Sequence, residues 1–213
     1  MEKLYINNYE FLKASMDNAE FVFSMASGDL NFNISLSQGI KNINKVKEWF
    51  DLREIGFLNQ IHSDLIYNYD GEVHDGDALI TDKRNIALGV FTADCVPILL
   101  YDKVNSVIAA VHSGWKGTLL DICGKTIEKM RQEYGVKAEN LIAYIGPHNK
   151  VCCYEVGEDV ADKFRKTSIY EKLSIINNGK LDLEKCIINV LIKNGLLKTN
   201  INTLDICTYC NKE

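Results

Sequence analysis

The stretch from Ala78 to Tyr134 constrains the fold most. Four short apolar runs, Ala78 to Thr81, Ile86 to Phe91, Val96 to Tyr101 and Val107 to Val111, follow one another with polar turns between them. Each has the length and composition of a strand. Helical periodicity begins only afterwards, where Leu119, Cys123, Ile127, Met130 and Tyr134 recur at steps of three and four and predict one amphipathic helix. Strands that cluster ahead of a helix, rather than alternating with helices, argue against a plain βαβ array. They predict an α/β fold, a layered sandwich of mixed sheets flanked by helices.

The flanking sequence fits that frame. Phe21 to Phe23, residues 57–62, Leu65 to Tyr67, Leu141 to Ile145 and Ile201 to Leu204 are further strand candidates. Ile43, Val46, Trp49 and Phe50 predict a helix capped by Asn42 or Asn44 and closed by Gly56. Val156 to Phe164 and Leu183 to Leu191 predict two more, with Asp182 capping the second. Ser27-Gly28-Asp29 reads as a turn, and Asn31 to Ser35 as an ordered loop. With 213 residues, 46% of them hydrophobic, and no repeat or low-complexity linker, the expected organisation is one domain over residues 1–213.

The charge balance narrows the function. The 24 basic and 29 acidic side chains are interspersed, so no basic stripe points to nucleic acid. Met1 to Tyr9 lacks the apolar run of a signal peptide, and the apolar stretch from Ile86 to Tyr101 is broken by Asp94 and Pro97. A cytoplasmic protein without a membrane partner is expected. Seven cysteines, two of them adjacent at Cys152 and Cys153, suit core thiols or a metal site better than a disulfide framework. Cys207-Thr208-Tyr209-Cys210 has the spacing of half a metal or redox motif. The dinucleotide and P-loop patterns are absent.

Three polar residues fall at or just past the ends of apolar runs, where loops build sites: His62, Cys95 and His112. Two imidazoles and a thiolate suit zinc, and three protein ligands leave a fourth position open, as in catalytic sites. Copper takes the same ligands. Asp94, beside Cys95, is placed to orient a ligand or substrate group, or to cap a turn. His112-Ser113-Gly114-Trp115-Lys116-Gly117 sets two glycines and a cation between a strand and a helix, which allows close backbone approach and favours an anion. Asp77 caps a turn or faces the cleft, with the cap preferred. His148, after Gly146-Pro147, is a candidate lining residue.

These residues sit in segments that resemble the YfiH family, also called the laccase-domain or multicopper polyphenol oxidase family. The matching segments are Asn59-Gln60-Ile61-His62, Asp75-Gly76-Asp77-Ala78, Thr92-Ala93-Asp94-Cys95-Val96-Pro97, Ala110-Val111-His112-Ser113-Gly114-Trp115-Lys116-Gly117, Cys153-Tyr154-Glu155-Val156-Gly157 and Cys207-Thr208-Tyr209-Cys210-Asn211. The resemblance implies a purine nucleoside phosphorylase that also deaminates adenosine and cleaves S-methyl-5'-thioadenosine. It implies purine nucleosides and phosphate as partners, His62, Cys95 and His112 as ligands of zinc or copper, and Gln60, Lys116 and His148 near the substrate. Asp94 or His148 is then the acid that protonates a departing amine. A monomer or homodimer is expected. Family members carry an arginine in an N-terminal Thr-Arg-x-Gly-Gly loop where this chain has Met25 or Ala26, and they run on past the cysteine pair, whereas this sequence ends at Glu213. Copper-dependent phenol oxidation, a Cys–His hydrolase with Cys95 as nucleophile, and a metal-dependent binding module without catalysis are the competing readings.

Overall fold

The computed structural model describes residues 1–26, 28 and 30–211. Its elements run β1 (Glu2–Ile6), β2 (Tyr9–Met16), β3 (Ala19–Ser24), α1 (Ser37–Trp49), β4 (Glu54–Gly56), β5 (Ile66–Asn68), β6 (Ala78–Thr81), β7 (Ile86–Leu88), β8 (Val96–Asp102) and β9 (Val107–Ser113). Then come α2 (Trp115–Leu119), α3 (Ile122–Tyr134), β10 (Leu141–Ile145), α4 (Glu158–Lys166), β11 (Ile176–Asn177), β12 (Lys180–Leu181), α5 (Leu183–Lys193) and β13 (Ile201–Thr203). Six strands form a mixed sheet in the order β13-β10-β8-β9-β6-β5. Its centre is antiparallel, and both outer pairs, β13 with β10 and β5 with β6, are parallel.

The central strands are apolar over most of their length because both faces of the sheet are covered. Val96, Ile98 and Leu100 on β8, with Val107, Ala109 and Val111 on β9, face one core that includes Ile127 and Met130 of α3 and Ile187 and Val190 of α5. The alternate residues face the other way, as the two-residue period of a strand requires. Leu99, Tyr101, Ile108, Ile142 and Tyr144 pack there around Phe21 of β3. The meander β1-β2-β3 therefore covers one face and helices cover the other, with the Phe21 ring 4.3 Å from Tyr144. Among the described residues, no helix is long and apolar enough to cross a membrane.

Several local expectations give way to longer-range bonds. Residues 57–62 form no strand; β4 stops at Gly56 and pairs with β7. Gly56 therefore closes no helix: α1 ends at Trp49, and Asp51 takes the left-handed turn with φ 49°. Helix α1 also starts earlier than expected, after Leu36, and Asn42 is a buried interior residue whose amide donates to the Asn31 carbonyl. The single helix expected from Leu119 onward is two helices. Asp121, at φ 61°, breaks it and caps α3 by accepting from the Gly124 N–H. Asp182 caps α5 as expected, accepting from the Lys185 N–H at 2.9 Å. Of the turn at 27–29, Ser27 and Asp29 lie outside the described residues, and Gly28 has φ 82°.

Candidate active site

Antiparallel pairing of β8 with β9 and of β9 with β6 brings the start of β8, the end of β9 and the start of β6 to the same end of the sheet. Cys95 directly precedes β8, His112 is the penultimate residue of β9, and Asp77 directly precedes β6. His62 arrives on the loop ahead of β5. One ligand atom from each of His62, Cys95 and His112 lies within 4.8 Å of the others. The Cys95 Sγ is 3.8 Å from His62 Nε2, and the two imidazole rings are 4.9 Å apart at 81°. His112 is buried, Cys95 half-buried and His62 exposed, so the cluster opens to solvent on the His62 side.

Asp77 is the hub of this arrangement. It is fully buried, and its carboxylate bonds go to His62, Ser63 and His112. Its Oδ1 accepts from the His62 backbone N–H at 3.1 Å and meets His112 Nδ1 at 2.7 Å. Its Oδ2 accepts from the Ser63 N–H and the Ser63 hydroxyl, both at 2.6 Å. Asp77 therefore does more than cap the 62–63 turn: it also holds the His112 ring. These bonds also explain why residues 57–62 leave the sheet and why His62 sits at φ 59°. An ionised carboxylate only accepts, so His112 carries its proton on Nδ1 and directs Nε2 to the cluster.

Electrostatics separate the two histidines. Burial alone would lower the His112 pKa, but the Asp77 carboxylate and the Cys95 sulfur reverse this and raise it to about 9. Burial would raise Asp77, yet His112 and Ser63 outweigh it and hold the carboxyl at about 2. His62 moves down, first from burial and then from the charges of His112 and Lys116, against the pull of Asp77.

Gly114 makes the close packing possible. A Cβ there would stand 2.8 Å from Cys95 Sγ and 3.2 Å from His62 Cδ2. Its φ of −77° is ordinary, so the need for glycine is steric. Lys116 is exposed in the short helix α2, and its Nζ lies 5.7 Å from the Trp115 ring centroid.

The other expected site residues lie differently. Gln60 spends both ends of its amide on Phe91, donating to the carbonyl and accepting from the N–H at 2.7 Å each. It stitches the His62 loop to the segment leading to Cys95. His148 is fully buried; its Nδ1 is 2.8 Å from the Gly146 carbonyl and its Nε2 is 3.6 Å from Glu184. It does not join the three-residue cluster. Asp94 is exposed and accepts from the Thr208 hydroxyl at 3.2 Å, while its carbonyl accepts from the Asn149 N–H. Met25, which with Ala26 was expected at the place of the family's loop arginine, donates its N–H to the Glu10 carbonyl and lines a separate cleft with Lys150 and Cys207. Sequence reasoning passed over Tyr154. The structure sets this half-buried phenol within range of the Cys95 and Asp94 charges, and burial first, then those charges, raise its pKa to about 12.

Comparison with known proteins agrees with this architecture. Residues 24–213 match the family described as multi-copper polyphenol oxidoreductase laccase. A purine nucleoside phosphorylase of Clostridium acetobutylicum is 51% identical over 210 residues, 98% of this chain and 88% of that one. A purine nucleoside phosphorylase of Borreliella burgdorferi is 33% identical over 75% of this chain and 72% of its own length. Among solved structures, the Bacillus licheniformis protein YfiH superposes with a TM-score of 0.78 at 29% identity, covering 86% of this chain and 77% of that one. A Neisseria meningitidis protein also reaches 0.78, at 27% identity over 93% and 88%.

Proposed function

The chain belongs to the multi-copper polyphenol oxidoreductase laccase family, and on that premise we propose that it is a purine nucleoside phosphorylase centred on His62, Cys95 and His112. The observation that carries the reading is the convergence of those three donors around Asp77, in a chain half identical to a purine nucleoside phosphorylase. Two nitrogens and one sulfur, open on one side, fit a catalytic metal, zinc by preference and copper as the alternative. Such an ion, when bound, supplies a Lewis acid and a water of lowered pKa.

The chain's own groups do the rest. Asp77 fixes the His112 tautomer and the His62 backbone, so both rings keep their positions during turnover. Lys116 sets a positive charge beside His62, where an incoming phosphate needs one. Phosphate oxygen attacks C1' of the ribose as the bond from C1' to N9 breaks, giving ribose 1-phosphate and the purine base. With Met25 turned to another cleft, the charge for phosphate falls to Lys116. Tyr154 keeps its proton at neutral pH and offers the substrate a hydrogen-bond donor. Adenosine deamination and cleavage of S-methyl-5'-thioadenosine are further reactions of the same centre, and a cytoplasmic setting suits all three.

Phenol oxidation by several coppers is disfavoured by the donors. The chain has four histidines. His74 is stacked on Tyr67, and His148 is buried against Gly146 and Glu184, which leaves two for the site.

The test is product analysis. Adenosine and inosine are incubated with and without phosphate. Free base and ribose 1-phosphate form only with phosphate, and inosine forms from adenosine in either case. Cys95→Ala and His112→Ala abolish these products. Full turnover in folded preparations of those variants overturns the proposal.

A further inference from the structure

A second group of thiols gathers outside the His62–Cys95–His112 cluster. Cys152 and Cys153 lie in the turn that follows β10, and Cys207 and Cys210 lie in the turn that follows β13. All four sulfurs fall within 4.8 Å of one another, and Cys152 Sγ is 3.7 Å from Cys210 Sγ. The backbone fixes this meeting. His148 and Cys207 form a parallel bridge, and the Thr208 N–H donates to the His148 carbonyl at 3.0 Å. Each turn is closed internally, by Cys153 N–H to the Lys150 carbonyl and by Asn211 N–H to the Cys207 carbonyl, both at 2.9 Å.

The chemistry of the cluster excludes the simpler readings. Cys123 and Cys186 are buried and act as small core residues, whereas Cys152 and Cys210 are exposed. All four thiols are free, and 3.7 Å is far beyond a sulfur–sulfur bond of ~2.05 Å. A redox pair needs two sulfurs and an oxidant; four sulfurs converge here. A tetrahedron with zinc–sulfur bonds of about 2.3 Å has edges of roughly 3.8 Å, the separation at which Cys152 and Cys210 already stand. Entry is open, because Cys152, Cys207 and Cys210 line a cleft of about 660 Å3. We propose that Cys152, Cys153, Cys207 and Cys210 form a second metal centre, distinct from the one at Cys95, that binds one zinc ion as a tetrathiolate.

The centre is structural. It ties the segment after β13 to the loop after β10, and the same two segments hold Asp94 through Thr208 and Asn149. The zinc clip therefore steadies the chain immediately before Cys95. This inference does not depend on the reaction catalysed at Cys95.

The test uses the full chain, reduced, loaded with zinc and freed of excess. Two zinc ions per chain are expected. The double variant Cys152→Ser/Cys210→Ser keeps one, and Cys95→Ala keeps the other. Cobalt(II) substitution gives the intense sulfur-to-metal charge-transfer bands of a four-thiolate site in Cys95→Ala, and these bands vanish in the double variant. If the double variant does not fold, alkylation of the wild-type protein decides. Zinc slows modification of Cys152, Cys153, Cys207 and Cys210 at least tenfold, and a chelator restores it. A single zinc lost with Cys95, or alkylation of the four thiols at equal rates with and without zinc, overturns the proposal.

Discussion

Asp77→Asn is the most informative single change. The side chain keeps its shape but loses its charge. Each carboxylate oxygen now accepts from two donors: Oδ1 serves His62 and His112, and Oδ2 serves Ser63 twice. An amide turns one of those oxygens into an NH2, so either orientation sets donor against donors. The Asp77 pKa of about 2, against an ordinary ~3.9 and at ~1.4 kcal/mol per unit, corresponds to about 2–3 kcal/mol of stability at neutral pH. A buried donor without an acceptor adds about 1–3 kcal/mol. The expected cost is about 3–6 kcal/mol in urea denaturation of the metal-free protein. Loss of the His112 orienting group also weakens zinc by about 10–100-fold in competition with a chromogenic chelator. Ser63→Ala, which removes one of the four bonds, costs only about 1 kcal/mol and leaves zinc affinity nearly intact. If Asp77→Asn matches Ser63→Ala in both measurements, Asp77 is a turn cap and nothing more.

Other outcomes follow from the same geometry. Gly114→Ala leaves the backbone unstrained but drives Cys95 Sγ away, so zinc affinity at this site falls at least tenfold while the far-UV circular dichroism spectrum stays unchanged. Gln60→Ala frees two Phe91 backbone groups, and hydrogen exchange at the Phe91 amide accelerates while the β8 amides stay protected. The pH dependence of the metal-free protein has two limbs. His112, raised to about 9, gives stability that is complete below its unfolded value near 6.5 and is lost as pH climbs through 9. Asp77, lowered to about 2, gives stability present above about pH 4 and lost as pH falls through 2. Thermal melts should show the pair's contribution as a plateau between about pH 4 and 6.5, and His112→Gln should remove the alkaline decline.

The sheet was legible where its strands are apolar on both faces. Ala78–Thr81 and Leu141–Ile145 stand where composition puts them, and Val96–Asp102 differs from its expected span by one residue. Strands β1 and β2 carry charges on their outer surface, paired as Lys3 with Glu10 and Lys13 with Glu20, which blurs their alternation. The two-residue strands β11 and β12 are too short for any period to register. The 57–62 run reads as a strand because Phe57, Leu58 and Ile61 are apolar, and the groups that hold it outside the six-stranded sheet, the 74–76 backbone and Asp77, lie well downstream. The trio His62, Cys95 and His112 was legible from its strand-end positions together with the family resemblance, since gaps of 33 and 17 residues match no short local motif. Gln60 and His148 also showed in the sequence as polar groups beside motifs, but their bonds to Phe91 and to Gly146 did not, because a polar side chain looks the same whether it faces substrate or binds backbone.

The division between the two histidines bears on how the site fills. His112 is fixed by a strand and by Asp77, is buried, and holds its proton tightly. His62 is exposed on a turn, and its pKa is lowered. The two therefore do not compete as equals for an incoming ion. His62 is exposed and its pKa lies below the usual imidazole value, whereas His112, to hold an ion, would have to give up its Nε2 proton. The Nδ1 proton stays on Asp77's side and keeps the ring aligned throughout. Asp77 also holds the His62 backbone, so a shift of the His112 ring is transmitted to the turn carrying the other ligand. One buried carboxylate thus couples the inner imidazole to the backbone position of the outer one.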